Sequence, residues 1–534
     1  MKRSMNRPMS RGRVNIIVIA ALLISLAVPV QATTYYVSLS GNDGWSGTSP
    51  DSAWRHVTHA AFVIAAGDSV LIDSGTYSGE NIVFANTGTP GNPITMTAYS
   101  SDRPIIHSNS EITIGTWTGS EARDYIDISE LRITGKGIFA RGGEHLNITD
   151  CEIYLTEGSG IHFIDVKNST IDACDIHDIG WNCVMLQSCW RTDCGNISVT
   201  NCLLHDNPGS SGGPGHNFVD LFNYHEVLSD IDIIGNVIYD GAQKGLLCHY
   251  EDDPTMYNLK INNNIIVNTW DGIFVDDVRN SEINGNTIFN TCETGITVWY
   301  PDSCESVTIN NNIVISGYIG IDAQNPEFEI AYNNTWNNPA GDIRGPIGPG
   351  NIHVYPVFAD TVSYDFHLAS QYGRWNGSGW VTDGVTSPCI DAGDADAEWC
   401  NEPEPNGGRL NMGAYGNTAE ASKSPTLAIE GRTGPPTGVP GICVLHQNTP
   451  NPFSENTRIN YELTAVSTVS IAVYDLLGRK VRTIIEGQID AGSHSALWDG
   501  KCKYGIDVPE GVYLLVLQSD GYTLMRKLII FEGQ

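Results

Sequence analysis

Between Tyr125 and Asn338 the chain repeats one pattern about nine times. Half of each repeat is a tetrad such as Gly160-Ile161-His162-Phe163, Phe218-Val219-Asp220-Leu221, Gly272-Ile273-Phe274-Val275 or Gly295-Ile296-Thr297-Val298. The other half carries one small or polar residue ahead of apolar ones: Cys151, Cys174, Cys202, Asn236, Asn264, Asn286, Asn312 and Asn334. The steps between these eight are 23, 28, 34, 28, 22, 26 and 22 residues. A period in this range, built from short β-like segments, describes a solenoid whose coils bury their apolar face only by stacking. A β-sandwich turns about every 8–12 residues and has no reason to keep Asn at coil spacing. The fold class read from the repeat is therefore all-β, a parallel β-helix. Stacked Asn side chains would hydrogen-bond between coils and satisfy a buried turn, with Cys filling the same slot in the first three coils.

Side chains alternate along a strand, so each tetrad sorts its residues into core and surface. Ile161, Val184, Val219, Leu246, Ile273 and Ile296 stack inward, as do Phe163, Leu186, Leu221, Cys248, Val275 and Val298. Phe139, Arg141, His162, Gln187, Asp220, Phe222, His249, Phe274, Asp276, Trp299, Asp322 and Gln324 then share one outer face. Aromatics beside carboxylates and imidazoles are what a carbohydrate groove uses, rings for stacking and polar groups for hydroxyls. Asp220, His249 and Asp276 are the candidate catalytic groups, with Lys244 the nearest amine. His162, Gln187, Phe222, Phe274, Trp299, Asp322 and Gln324 are candidate binding residues. His216 joins them because it ends a Gly-rich loop that runs from Asn207 to Asn217 just before Asp220.

Two mechanisms fit this set. Asp220 and Asp276 lie two coils apart, which predicts roughly 9–10 Å between backbones. Their carboxylates would then approach the ~6.5–9.5 Å of an inverting glycosidase pair, with His249 on the coil between. A β-eliminating lyase instead needs a base and a cation to neutralise the uronate. Lys244 is the candidate base for that reading, and Asp252, Asp253 and Asp277, beside Asp276, are the acidic set a Ca²⁺ ion would use. A third reading, from another class, is a surface protein that binds glycans or builds the envelope without catalysis.

The N-terminus reads as an export signal: Lys2, Arg3, Arg7, Arg11 and Arg13 precede an apolar run from Val14 to Val30, and Val30-Gln31-Ala32 offers a cleavage site. Of 29 basic residues five fall in this leader, leaving 24 against 61 acidic ones, a net charge near −37. Such a surface repels nucleic acid and anionic membranes. Export permits disulfides among the 13 Cys, and Cys189–Cys194, Cys292–Cys304 and Cys389–Cys400 bracket plausible loops. Cys151, Cys174, Cys202 and Cys248 are expected as buried free thiols.

The Asn ladder with irregular coil lengths resembles the right-handed parallel β-helices of the pectate-lyase superfamily, which includes lyases, hydrolases, epimerases and binding proteins. The stretches Gly67–Ile72, Gly75-Thr76-Tyr77 and Gly88–Thr95 resemble the opening of family-9-type polysaccharide lyases and chondroitinase-B-like proteins. They mark architecture and contain no catalytic group. Asn448 to Phe453 (NTPNPF), Tyr474 to Arg479 (YDLLGR), Gly511-Val512-Tyr513 and the strand at Lys527 resemble the FlgD-like immunoglobulin-fold domain that also ends type IX secretion cargo.

The expected layout is a signal peptide (1–32), a cap with the first coils (33–104) that includes a helix from Ala53 to Ala65, the β-helix with its closing segment (105–418), a linker (419–444) and a small antiparallel Ig-like sandwich (445–534). Together these imply a secreted or outer-surface, monomeric, carbohydrate-active protein. Its partners would be a polysaccharide and, through the C-terminal domain, the bacterial secretion and surface-anchoring machinery.

Overall fold

The computed structural model describes residues 32–531 except 116–120, 190–193, 208–215, 225, 251–255, 300–303, 426–442, 447, 455, 464–465, 475–479 and 520–521. The chain winds through three parallel sheets in turn. The first sheet has 12 strands, from Thr34–Val37 to Glu329–Ala331. The second has 11, from Thr76–Glu80 to Asn334–Trp336, and the third has 11, from Val83–Phe84 to Gly341–Arg344. This is a right-handed parallel β-helix. It begins at Thr34, so the segment read as a cap already contributes full coils. The helix at that end is shorter than expected, Val57–Val63, after a 3-10 turn at Pro50–Ser52. Trp54 bridges back to Val37, which keeps the preceding residues extended. Val57, Ala60 and Ala61 face the core, and the buried Glu80 carboxylate accepts from the Thr58 amide (2.8 Å).

The corner between the first and second sheets explains the repeat. The residue ahead of each ladder position adopts a left-handed conformation, φ 52–70°, at Asp150, Ala173, Asn201, Gly235, Asn263, Gly285, Asn311 and Tyr332. Asn, Asp and Gly tolerate that region best and predominate here. The ladder residue that follows points into the coil. Asn236, Asn264, Asn286, Asn312 and Asn333 each donate an amide hydrogen to the Oδ1 of the next ladder residue, the last of them Asn351, at 2.9–3.1 Å. The last rung differs from expectation: it is Asn333, not Asn334. Because the left-handed residue is Tyr332, the following residue takes the slot, and Asn334 turns outward to the Val354 carbonyl (2.8 Å). Cys151, Cys174 and Cys202 continue the column, buried and unbridged, and the Cys202 amide donates to Asn236 Oδ1 (2.9 Å).

None of the three expected disulfides forms, because in two of the pairs one partner is interior and the other exposed: Cys304 and Cys389 are buried, Cys292 and Cys400 exposed. Cys189 and Cys194 are both buried but free, and the Cys194 thiol points to Asp165 Oδ1 (3.6 Å). Cys248 is a buried free thiol, as expected.

Residues after the last coil do not simply close the end. Phe358, Phe366, Leu368, Cys389, Ile390, Met412 and Ala414 form a second apolar cluster against Ile265, Val267, Ile313 and Ile315 on the outer face of the second sheet. Asn263 Nδ2 donates to the carbonyls of Ala414 and Gly416 (both 2.9 Å), and Tyr364 donates to Asp240 (2.9 Å). The tail therefore runs back along the flank and covers that sheet.

The C-terminal unit is an antiparallel sandwich. Cys443–Leu445, Thr457–Leu463 and Gly492–Trp498 form one sheet; Lys480–Ile489, Ser467–Tyr474, Gly511–Ser519 and Tyr522–Ile530 form the other. Phe453, Ile459, Ile471, Trp498, Leu515 and Leu528 fill its core. On the outer side Leu514 and Val516 pack against Trp336, Tyr355 and Val357. The Leu476–Arg479 part of the motif lies outside the described residues. Among the described residues no helix is long and apolar enough to cross a membrane.

Candidate functional site

The third sheet carries the tetrads in the register read from sequence: Phe139, His162, Met185, Asp220, Leu247, Phe274, Thr297 and Asp322 are successive partners. A second column, two residues further on, runs Arg141, Ile164, Gln187, Phe222 and His249. Asp276 pairs with Trp299 in the continuation of that second column. This offset corrects the expected spacing. Asp220 stands in the first column and Asp276 in the second, so two coils and two residues separate them, about 12 Å at the backbone. His249 is what connects the two columns.

His249 reaches back to Asp220, Nε2 to Oδ1 2.9 Å, and its ring stacks on Phe222 at 4.5 Å with 19° between planes. Asp220 is buried, 4% exposed, and Oδ2 accepts from Asn182 Nδ2 and Asn217 Nδ2, both at 3.1 Å. Asn182 Oδ1 in turn accepts from the amides of His216 and Asn217 (3.1 and 2.9 Å), so the turn ahead of the strand is fixed to the carboxylate it serves. Sequence reasoning missed Asn182 and Asn217. Their signal was one shared column, Asn immediately before Cys183-Val184 and before Phe218-Val219.

Asp276 contrasts with Asp220. It is 8% exposed, and its Oδ1 is buried with no hydrogen-bond partner among the described residues. Burial, reinforced by the charge of Asp277, pushes its carboxyl up to about 6, while His249 pulls the other way. Burial likewise lowers the basicity of His162, whose Nε2 lies 3.2 Å from Gln187 Oε1. Trp299 is half exposed and tilted 31° from Phe274 at 5.9 Å, two rings on one rim. Asp322 accepts from Gln324 Nε2 (2.8 Å) and lies 3.6 Å from Arg344.

Other expected members stand apart. Phe139 belongs to the outer face but is fully buried, covered by Ile164, Cys189 and Tyr224. His216 is buried, 3% exposed, beneath the turn it was expected to line. Lys244 is held by Asp271 at 2.6 Å with its ammonium 4.8 Å from the Phe274 ring centre, so its charge is already matched. Asp277 starts a left-handed turn (φ 47°) and is buried, and Asp252 and Asp253 lie outside the described residues.

Residues 35–242 match the family described as "Pel9A-like, right handed beta helix region", and residues 448–521 match the FlgD Ig-like domain. The first part of the solenoid, residues 35–242, is thus similar to the Pel9A-like right-handed β-helices. Residues 228–393 also match a family described as disaggregatase related. A solved structure of pectate lyase Pel9A is similar to this chain at 14% identity and TM-score 0.43, covering 72% of this chain and 96% of its own. That of XylC in complex with xylose is similar at 10% identity and TM-score 0.40, covering 87% and 100%. A curated relative, the uncharacterized protein YwoF of Bacillus subtilis (strain 168), is 30% identical over 136 residues, 22% of this chain. The chain spans only 28% of that relative's length. The Pel9A-like match thus covers the coils up to residue 242, and the FlgD Ig-like match most of the C-terminal sandwich.

Proposed function

We propose that this chain is a secreted or surface-displayed carbohydrate-active protein that cleaves a polysaccharide laid along the third sheet, with His249 accepting a proton from the substrate and Asp276 donating one to the leaving group. The observation that carries this reading is the contrast between two neighbouring groups. His249 is oriented by Asp220 at 2.9 Å, while the Asp276 carboxyl is raised to about 6 and retains its proton in mildly acidic solution. An oriented imidazole is suited to accept a proton, and a carboxyl kept neutral by burial is suited to donate one. Phe274, on the Asp276 strand, and Trp299, one coil further, supply the sugar platform.

His249 and Asp276 sit on adjacent coils of one sheet face, so about 5 Å separates their backbones. A base and an acid on the same face suit β-elimination: His249 removes the proton beside the uronate carboxyl, and Asp276 protonates the departing glycosidic oxygen. The match to the Pel9A-like family, whose namesake is a pectate lyase, favours the same direction. Glycoside hydrolysis is the second reading, favoured by the matched charge of Lys244, which is already engaged by Asp271. The FlgD Ig-like domain is read as the signal that delivers the monomeric protein to the outer surface or releases it.

A panel of uronate-containing and neutral polysaccharides tests this. Ultraviolet absorbance from an unsaturated product marks elimination, and new reducing ends without it mark hydrolysis. If Ca²⁺ serves elimination, chelation abolishes the absorbance signal. Binding without either product would overturn catalysis in favour of a glycan-binding surface protein. An Asp276→Asn variant that cleaves as fast as the parent would overturn the role given to Asp276.

A further inference from the structure

On the outer face of the second sheet, away from the site above, Asp175, His177 and His205 bring one carboxylate and two imidazoles together with one ligand atom of each within 4.8 Å of the others. We propose that these three residues form a site for a first-row divalent metal of the zinc type.

The fold places them by simple rules. Asp175–Ile179 and Leu203–Asn207 are adjacent strands, and His177 pairs with His205 in register. Their rings stack at 4.8 Å with 13° between planes. Each His is followed by an Asp in a left-handed turn, Asp178 at φ 52° and Asp206 at φ 48°. That turn folds each carboxylate back onto its own ring, His177 Nδ1 to Asp178 Oδ2 at 2.9 Å and His205 Nδ1 to Asp206 Oδ2 at 2.8 Å. A nitrogen facing a carboxylate carries the hydrogen, so Nδ1 is the donor in both rings. Nε2 is left as the outward edge in both. A carboxylate on the far nitrogen of each imidazole is the outer arrangement that orients metal-bound histidines and raises their basicity.

The Nε2 edges converge on acid. His205 Nε2 is 3.0 Å from Asp175 Oδ1, and His177 Nε2 is 3.7 Å from Glu152 Oε1. Glu152 is held by Arg132 at 2.6 and 3.2 Å, which makes it an outer partner and leaves Asp175 as the oxygen ligand. Tyr154 and Tyr239 close the stack on either side, at 5.5 and 5.0 Å and nearly parallel to the imidazoles. Four carboxylates against one guanidinium leave the pocket negative. The side chains of His177 and His205 are 18% and 14% exposed and that of Asp175 44%, so an ion can enter and Asp175 can move. Two imidazole nitrogens with a carboxylate and room for water suit zinc, whose ligands sit at about 2.0–2.2 Å, better than they suit Ca²⁺. The competing occupant is a proton on each Nε2.

The test uses the full, untagged chain, freed of metal and titrated with Zn²⁺ by calorimetry near neutral pH. One saturable site is expected, with Co²⁺ giving the visible absorption of a four-coordinate centre in the same place. His177→Ala and His205→Ala should each weaken binding at least ~100-fold. Asp178→Asn and Asp206→Asn, which keep all three ligands, should weaken it roughly 10–100-fold. Circular dichroism of each variant checks that the coils persist. Zn²⁺ binding unchanged in the His177→Ala/His205→Ala double variant would overturn the proposal. So would the absence of a saturable site in a parent chain whose imidazoles titrate as a protonated pair.

Discussion

Asn286 is the middle rung of the buried ladder, and its removal has a calculable consequence. Its Nδ2 donates to the Ile261 carbonyl (2.7 Å) and to Asn312 Oδ1 (2.9 Å), and its Oδ1 accepts from both the amide and the Nδ2 of Asn264 (3.0 Å each). In Asn286→Ala the Asn264 side chain keeps the Ile233 carbonyl (2.8 Å), and Asn312 keeps its contacts to Ile283 and Asn333. The Asn264 backbone N–H and the Ile261 carbonyl lose the partner this side chain gave them. Each buried polar group left unsatisfied costs about 1–3 kcal/mol, so the variant should lose roughly 3–4 kcal/mol. The control is Asn290→Gly on the same coil, which suits the left-handed backbone there (φ 59°) and removes only the Nδ2 bond to Asn268 Oδ1 (2.6 Å) at an exposed corner. It should lose less than ~1 kcal/mol. Urea unfolding followed by circular dichroism reads the difference as a shifted midpoint at unchanged slope, and hydrogen exchange should open first in the coils on either side. A loss below ~1 kcal/mol at Asn286, or one equal to that at Asn290, would refute the view that the ladder holds the corner together.

The remaining predictions concern the site and the C-terminal domain. Asp276→Asn should lower turnover at least ~10²-fold, and the parent's activity should fall as pH rises through about 6, where Asp276 loses its proton. The same carboxyl is raised on folding, so it stabilises the protonated fold below its ordinary value of 3.8 and that contribution is lost as pH rises through about 6. Asp276→Asn should therefore melt above the parent at neutral pH and converge with it near pH ~4; equal melting temperatures at both would contradict the assignment. Trp299→Ala should raise KM by roughly tenfold with a smaller change in kcat, as expected for a stacking platform; an unchanged KM would exclude it from the groove. Deleting residues 445–534 should leave the coils folded, because each contacts chiefly its neighbours. It should abolish surface delivery in a type IX-competent host, and unchanged export would reject the sorting role.

The columns of the third sheet were legible because strand alternation has a period of two and the tetrads, that at Phe218 excepted, start from Gly or Cys. What alternation does not supply is the offset between columns. It fixes Asp220 and Asp276 as outward-facing, yet leaves out that they stand two residues apart along the strand and that His249 spans the gap. The Asn333 rung was hidden for a related reason, since Tyr332 is not a residue that advertises a left-handed turn. His216 looked like a loop residue from its Gly-rich neighbours, and became interior because Asn182 captures its amide. The tail from Phe358 to Ala414 has no coil period, so nothing in its spacing announces that its apolar residues cover Ile265 and Ile313. The His177–His205 stack was overlooked because it lies on the second sheet, outside the tetrads that drew attention.

Two carboxylates on one sheet face thus come to differ through the corners that feed their strands. Asp220 follows a turn in which Asn182 and Asn217 both aim amide hydrogens at it. Asp276 follows Asp271-Gly272, where the acid is committed to Lys244 and to the Thr294 amide, so no comparable donor is sent forward. One acid is surrounded by donors and orients a base; the other keeps a buried oxygen without a donor and holds its proton into the mildly acidic range. Supplying Asp276 with a donor would erase that difference. A substitution on the neighbouring strand that places an amide within reach, such as Trp299→Asn at the register partner of Asp276, should lower the Asp276 pKa and shift the alkaline limb of activity to lower pH. The limb staying in place, with the new amide shown to contact Asp276, would mean that another group sets it.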